Sequence, residues 1–221
     1  MTAPDTGVRR RTAPAAAPRR GPGTALLLGC GAVAGPLYLG AGFAQAFTRD
    51  GFDVRRHPFS FLSLGEGGWV QVANFVVTGL LFLAMAVGVR RAIGGQRGGT
   101  WGPVLLGVFA VGMVGGGVFV ADPAFGFPVG APEGQPETLS WHGTLHGVAF
   151  FTAFPALIAA CFVFARRFRG GWSWYCAATG VISLLPMAFM GSEWGTVLLY
   201  AVAVVSWSWV SAVALKLRAE I

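Results

Sequence analysis

Two histidines stand four residues apart at the start of a long apolar stretch, in the sequence WHGTLHG. At this spacing the imidazoles of His142 and His146 are expected on one face of a helix. Asp122 closes the preceding apolar stretch and is predicted to reach the same end of the molecule. Two imidazoles and one carboxylate are a common ligand set for catalytic zinc, which keeps a fourth position for water. The same residues also suit a plain histidine–carboxylate hydrogen-bond network, and both interpretations stay open.

Three further side chains are candidates for chemistry at this end. Glu193 lies in a short turn between two apolar stretches, where its carboxylate could orient a metal ligand or act as a general base. Ser60, in the sequence HPFS, is a second candidate for a catalytic role. The guanidinium of Arg56 suits a planar oxyanion, such as a substrate carboxylate or a lipid head group. Ion pairing with a nearby acid, or simple solvation, accounts equally well for this arginine.

Polar residues also recur within one apolar stretch, in the sequence GWVQVANFVVTGLLF. Gln71, Asn74 and Thr78 are spaced i, i+3 and i+7, so they share one helical face. Polar groups inside a membrane helix usually face other protein groups or a water-filled cavity. The pattern therefore predicts either a hydrogen-bonded seam between helices or the wall of a substrate-binding pocket to which Gln71 and Asn74 contribute.

These residues stand in a chain that is too apolar for a soluble domain. Of its 221 residues, 54% are hydrophobic and 11% are charged, whereas soluble domains carry about 25% charged residues. Runs of about 20 apolar residues indicate membrane-spanning helices. Six such runs occur, at residues 24–47, 69–89, 101–121, 142–165, 172–190 and 195–215. The sequence predicts an all-α, polytopic integral membrane bundle of six transmembrane helices.

The placement of charge predicts how this bundle is oriented. The net charge is +7, and 13 of the 16 lysines and arginines lie before the first span, in alternate connections, or after the last span. Seven of the nine acidic residues lie in the other connections. The positive-inside rule assigns the basic connections, and with them both termini, to the cytoplasm. This topology explains the positive charge without a nucleic-acid partner and leaves the lipid bilayer as the predicted partner.

The chain divides into three parts by composition. Residues 1–23 are rich in proline, alanine and arginine and are predicted to be a disordered cytoplasmic tail. Residues 24–215 form the transmembrane domain, and residues 216–221 form a short cytoplasmic tail. Two connections on the acidic side are long, at residues 48–68 and 122–141. Long loops in compact domains are usually functional, so a site is expected at the extracytoplasmic face.

Three segments carry a resemblance to a known family: DVRRHPFSFLSLGEGGWVQVANFVVTGLLF, VFVADPAFGFPVGAP and SWHGTLHGVAFF. They resemble the uncharacterised prokaryotic membrane proteins known as domain of unknown function 998. The resemblance covers about residues 24–215, and its most specific motifs are R-H-P-x-S, G-W-x-Q-x-x-N-F and H-G-x-x-H. It implies an integral membrane helical bundle in the bacterial plasma membrane, and it implies no activity.

The chain is also similar in part to the alkaline ceramidase and adiponectin receptor superfamily of membrane hydrolases. Those proteins bind zinc through histidines, including an H-x-x-x-H pair on one helix, with an aspartate and a serine nearby. Ser60, Asp122, His142 and His146 follow a compatible order in this chain. The resemblance implies zinc-dependent hydrolysis of a lipid or an amide. The chain departs from the superfamily in having six predicted spans instead of seven, with its histidine pair on the fourth.

Three functional hypotheses follow. The first is a membrane protein with a polar His/Asp site at its extracytoplasmic face and no established chemistry. The second is a metal-dependent membrane hydrolase acting on a lipid or an amide. The third is a transporter of a small solute. The lack of charged residues at the centres of the predicted spans argues against proton or sodium coupling, which leaves a neutral solute as the cargo. The sequence leaves the substrate, the oligomeric state and the presence of enzymatic activity open.

Overall fold

Seven α-helices and one 3₁₀ helix form the described part of the chain, residues 21–192 and 194–221 of this computed structural model. In chain order they are α1 (Pro22–Ala46), the 3₁₀ helix (Phe59–Ser63), α2 (Gly68–Ile93), α3 (Trp101–Val118), α4 (Trp141–Arg167), α5 (Gly171–Ile182), α6 (Leu185–Ala188) and α7 (Gly195–Arg218). The predicted all-α class is confirmed. Residues 1–20 of the predicted tail lie outside the described residues. Pro22 begins α1, a position that suits proline because the first helical N–H groups have no partner within the helix.

Five of the described helices, α1 to α4 and α7, are long and apolar enough to cross a membrane. The shortest of them, α3, has 18 residues, which corresponds to about 27 Å at ~1.5 Å per residue. The hydrocarbon core of a bilayer is about 30 Å thick. These helices confirm five of the predicted spans, with bounds that differ by a few residues.

The structure corrects the fifth predicted span, because residues 172–190 form two helices instead of one. The first of them, α5, has 12 residues, which corresponds to about 18 Å. Pro186 accounts for the break, since it has no N–H to donate to the carbonyl of Ile182 and its ring crowds that carbonyl. α5 therefore ends at Ile182, partway along the bundle, and the chain continues through the short α6.

The helices pack side by side in a ring. α1 contacts α2 and α7, α3 lies between α2 and α4, and α5 lies between α4 and α7, with α6 against α7. Two long loops, residues 47–67 and 119–140, contact each other at one end of the bundle, which we call the loop end. Residues 94–100 and Glu220, just after α7, both contact α4 at the opposite end, which we call the arginine end. This grouping of the connections agrees with the charge pattern of the sequence.

Trp207 of α7 lies at the centre of the ring and is 2% exposed. Its indole contacts aromatic rings from four other helices: Tyr38, Phe82, Phe109 and Phe154. Aromatic pairs of this kind add specific ring geometry to the packing of the core. The position of α7 relative to α1, α2, α3 and α4 is therefore fixed at this level.

Glycines allow two pairs of helices to approach closely. A Cβ atom at Gly35 would lie 2.8 Å from the main-chain oxygen of Trp207, and one at Gly79 would lie 2.9 Å from that of Ala110. Any side chain at these positions would push the backbones apart. Small residues therefore permit the tight contacts of α1 with α7 and of α2 with α3, as is common between helices in lipid.

Candidate functional site

His57 joins the two long loops at the loop end. It is 2% exposed, and its Nδ1 accepts a hydrogen bond from the main-chain N–H of Asp53 at 2.9 Å. Nε2 therefore carries the hydrogen and donates to the carbonyl oxygen of Phe125 at 2.9 Å. Because both ring nitrogens have partners, this histidine organises the loops and is not free to act on a ligand.

Aromatic rings and one arginine complete this organisation. The rings that contact His57 are Phe52, Phe61 and Phe127. Arg49 donates to the carbonyl oxygens of Leu62 at 3.2 Å and Leu64 at 2.6 Å, which ties the 3₁₀ segment to the end of α1. Sequence reasoning did not predict that His57 joins the two loops. The available signal was a single histidine within the aromatic-rich sequence HPFSF.

Asp122 lies against the first turn of α4. Its Oδ2 accepts a hydrogen bond from the main-chain N–H of Ser140 at 2.9 Å, and any side chain at Gly143 would collide with the carboxylate. The hydroxyl of Ser140 accepts from the N–H of Gly143 at 3.0 Å, so Ser140 is the N-cap of this helix. A carboxylate beside a helix N-terminus is favoured by the helix dipole. Asp122 thus stabilises the start of α4.

The two predicted histidine ligands have different surroundings. Nδ1 of His146 donates to the carbonyl oxygen of Phe119 at 2.8 Å, where α3 ends. Its Nε2 has no hydrogen-bond partner among the described residues and acts as an acceptor in the neutral ring. His142 packs beside Trp141, with ring centroids 3.8 Å apart, and its buried Nδ1 has no partner in the described part of the chain.

The predicted zinc ligands are not assembled into a metal site. Within residues 21–192 and 194–221, no group of three or more His, Cys, Asp or Glu side chains is placed to hold a metal ion. Zinc–ligand distances of ~2.0–2.2 Å require the ligands to converge on one point. The structure gives no support to a zinc set of Asp122, His142 and His146, and zinc stays a prediction for metal analysis.

The polar face of α2 forms a hydrogen-bonded seam with α1. Oε1 of Gln71 accepts from Nε2 of Gln45 at 2.9 Å and from Nδ2 of Asn74 at 3.1 Å. Asn74 also donates to the carbonyl oxygen of Tyr38 at 3.1 Å, and Thr78 donates to Oδ1 of Asn74 at 3.4 Å. Of the two arrangements that the sequence left open, this is the seam. Gln71 and Asn74 are not among the residues that line the central cavity described next.

A cavity of about 90 Å³ lies inside the half of the bundle nearest the loop end. Its wall is largely apolar, and eight of the lining residues are aromatic: Tyr38, Phe59, Phe75, Phe109, Phe150, Phe154, Tyr200 and Trp207. Ser60 and His146 also line it. The hydroxyl of Tyr200 is already engaged with the carbonyl oxygen of His57 at 2.6 Å. Ser60 and His146, both singled out from the sequence, thus share one apolar cavity.

A larger groove of about 1010 Å³ lies at the loop end, beside the segment that follows the break in α5. Arg55, Arg56 and Phe125 border it from the two long loops, and Pro186 and Met190 border it from the broken segment. Three residues line both the groove and the cavity: Pro58, Phe150 and Leu199. The two spaces therefore adjoin each other through these side chains.

Arg56 is the predicted binding residue that borders this groove. Its Nη2 lies 3.1 Å from Oε2 of Glu133, and the two side chains are 49% and 82% exposed. The neighbouring Arg55 is also exposed. Glu193, the predicted general base, lies outside the described residues.

The long apolar helices, the internal hydrogen-bonded seam and the cavity between the helices define a helical integral membrane protein. Residues 32–216 match the model of a family described as "Protein of unknown function (DUF998)", and the chain belongs to this family. No curated protein and no solved structure matches the chain. The family description names no activity, so the geometry of the site is the basis for a functional assignment.

Proposed function

We propose that this protein binds a membrane lipid, with the end of one acyl chain in the central cavity and the polar head in the groove. The observation that carries the proposal is that the two spaces adjoin each other, with Pro58, Phe150 and Leu199 in the walls of both. The inner space is largely apolar, and the outer space is bordered by charged side chains. This order of polarity matches that of a lipid, and the break in α5 lies beside the entrance.

The sizes of the two spaces favour a chain end and a head over a compact solute. The cavity of about 90 Å³ is smaller than the ~150 Å³ apolar cavity known to take up benzene. It has room for the last methylene groups of a chain or for one side-chain ring, whereas a larger compact solute exceeds it. The groove of about 1010 Å³ lies at the upper end of the ~300–1,000 Å³ typical of small-molecule sites.

The polar contacts must supply most of the selectivity. A chain that leaves the bilayer for the cavity exchanges one apolar environment for another, so the hydrophobic effect contributes little. Arg55 and Arg56 offer guanidinium groups that can form two parallel hydrogen bonds with a phosphate or a carboxylate. The exposed ion pair of Arg56 with Glu133 contributes about 0–1 kcal/mol, so an anionic head can replace the glutamate.

We also propose how the protein is oriented and in which membrane it lies. The arginine end carries the short basic connections, which the positive-inside rule assigns to the cytoplasm together with both termini. The loop end would then face the outside of a bacterial plasma membrane. In this orientation the groove lies at the outer leaflet, where it meets lipid head groups.

A cavity-filling substitution tests lipid binding. Ala203 lines the cavity and is 7% exposed, whereas Ala201 of the same helix is exposed. Native mass spectrometry of the purified protein should show a bound lipid in the wild type and in Ala201→Phe. The number of bound lipids should be lower by one in Ala203→Phe, because the new ring occupies the space of the chain. The same number of bound lipids in all three proteins contradicts the proposal, and thermal unfolding checks that Ala203→Phe is folded.

Lipid hydrolysis is a second candidate function, favoured by the presence of Ser60 and His146 in one cavity. Oγ of Ser60 would attack an ester carbonyl, and the proton would pass to Nε2 of His146 and then to the departing alcohol. Water would afterwards release the acyl group from the serine. A fluorophosphonate probe should label the wild type but neither Ser60→Ala nor His146→Ala. A wild type that resists labelling removes this candidate.

The zinc-dependent form of this hypothesis requires Asp122, His142 and His146 as ligands and Glu193 as the base that takes a proton from bound water. Elemental analysis of the purified protein tests it directly. One zinc per chain, lost in His146→Ala and kept in Ser60→Ala, would support it. A wild type purified without chelators and free of zinc would remove it.

A further inference from the structure

A second polar site lies at the arginine end of the bundle, opposite the cavity. Glu220 receives two cations there, with Nη2 of Arg167 at 3.3 Å and Nζ of Lys216 at 3.4 Å. Arg169 follows the end of α4, is exposed, and has no hydrogen-bond partner among the described residues. Three positive side chains and one carboxylate therefore lie together here, an excess of two positive charges among these four residues.

These side chains surround a pocket of about 280 Å³, whose wall is completed by Phe168 and Trp172. Nζ of Lys216 lies 6.0 Å from the centroid of the Trp172 ring. Trp172 is the second residue of α5, and tryptophan at a helix end is typical of the membrane interface. The pocket therefore lies at the level of lipid head groups.

Arg167 is held in place before any ligand arrives. Its Nη1 donates to Oε1 of Gln96 at 3.2 Å and to the carbonyl oxygen of Arg97 at 3.3 Å, and its side chain is 13% exposed. A side chain that is already fixed loses little conformational freedom on binding. Arg167 thus anchors one wall of the pocket, while Arg169 and the remaining N–H donors of Lys216 are available to a ligand.

We propose that this pocket binds the phosphate group of an anionic phospholipid. Phosphate oxygens are strong acceptors for arginine and lysine donors, and basic pockets between membrane helices are suited to such head groups. Arg169 and Lys216 donate to the phosphate, and Arg167 remains paired with Glu220. The site is independent of the lipid cavity at the loop end, and neither depends on the other.

Lipid titration of the full-length protein tests this site. Native mass spectrometry in detergent compares phosphatidylglycerol with phosphatidylcholine, and the wild type should prefer phosphatidylglycerol. Arg169→Gln and Lys216→Gln should each weaken phosphatidylglycerol binding by roughly 5-fold. This is the contribution to affinity expected of one lysine or arginine near an anionic lipid surface. Lys216→Arg, which keeps the charge, should bind like the wild type and controls for loss of folding.

A matched pair of variants separates the pocket from general electrostatics. Arg91→Gln with Arg97→Gln removes two charges from the same end but outside the pocket, and it should leave the preference for phosphatidylglycerol intact. An equal loss in this control, or no loss in Arg169→Gln with Lys216→Gln, overturns the proposal. Glycerol phosphate and inorganic phosphate are added as competitors. Displacement by either assigns the site to a soluble phosphate, and no displacement assigns it to the lipid.

Discussion

The hydroxyl of Tyr200 donates a hydrogen bond to the main-chain carbonyl oxygen of His57 at 2.6 Å. This bond joins α7 to the first long loop beside the entrance of the cavity, since Tyr200 lines the cavity and Pro58 lines both spaces. The Tyr200 ring also contacts Phe59 edge to face, with centroids 4.6 Å apart. The contacts that hold the loop on the bundle therefore also shape the proposed entrance for a lipid.

Removal of this hydroxyl should loosen the first loop. We expect Tyr200→Phe to lower the free energy of unfolding by about 1 kcal/mol, because one intramolecular hydrogen bond is lost. Tyr175→Phe is the matched control, since the Tyr175 hydroxyl has no hydrogen-bond partner among the described residues. Thermal unfolding in detergent measures both variants, and equal shifts in the two would contradict a role for the Tyr200 bond.

His57→Ala should be more damaging than His142→Ala. The first substitution leaves the N–H of Asp53 and the carbonyl of Phe125 without their partner, and each of these partly buried hydrogen bonds contributes about 1 kcal/mol. The second removes a ring whose buried nitrogen has no partner in the described residues. Limited proteolysis of residues 119–140 reports on the loop contact. Cleavage should accelerate in His57→Ala alone, and the reverse order would show that His57 does not hold the loops together.

Gly143→Ala should destabilise the protein because its methyl group collides with the carboxylate of Asp122. Gly147→Ala is the control one turn along α4, where a Cβ atom meets nothing within 4 Å. There alanine should be neutral or raise the stability by up to about 1 kcal/mol through its better helix propensity.

A double variant identifies the cause of that effect. Combining Gly143→Ala with Asp122→Ala should recover part of the stability lost in Gly143→Ala, since neighbouring residues do not act additively. Strictly additive free energies of unfolding would exclude the collision as the reason. Elemental analysis of the Asp122→Ala variant separates the two roles of this residue. Loss of a zinc ligand would lower the metal content, whereas loss of a residue that only stabilises the start of α4 would not.

Pro186→Ala should lengthen α5. Alanine restores the N–H that can bond the carbonyl of Ile182, so the helix can continue into residues 183–190. Hydrogen exchange should show greater protection there, and lipid binding should weaken as the groove narrows. Pro155→Ala is the control, because Pro155 lies inside α4 and that helix already continues through it. Unchanged exchange in residues 183–190 would show that the break has another cause.

Five of the six spans and the grouping of the connections at two ends could be predicted, because lipid imposes apolar runs of a fixed length and the arginines mark one end. The break at Pro186 could not be predicted from proline alone. Pro36 and Pro155 also lie within apolar runs, yet α1 and α4 continue through them. Neighbouring helices decide whether the freed carbonyl finds another partner, and this depends on tertiary packing.

The candidate site was predicted only in part, because its contacts also depend on tertiary packing. Sequence spacing places His142 and His146 on one helix, but it does not show that Nδ1 of His146 donates a hydrogen bond to the carbonyl oxygen of Phe119. The sequence likewise places Asp122 at the correct end, but it does not show that the carboxylate accepts a hydrogen bond from the main-chain N–H of Ser140. The role of His57 depends on two loops that meet only in the folded protein. Ser60 lies in the 3₁₀ helix and His146 lies in α4, and the packing of these two elements places both residues at one cavity.

Photocrosslinking with a phospholipid that carries a diazirine at the end of its acyl chain tests lipid binding most directly. Met113 and Ala153 line the wall of the cavity. They should carry the label when the purified protein is digested and the labelled residues are mapped. Leu80 and Val87 are exposed on the surface of α2 and report chance contact with lipid. Label at the cavity residues that disappears in Ala203→Phe is the predicted result. Label confined to surface residues such as Leu80 and Val87 would contradict the account.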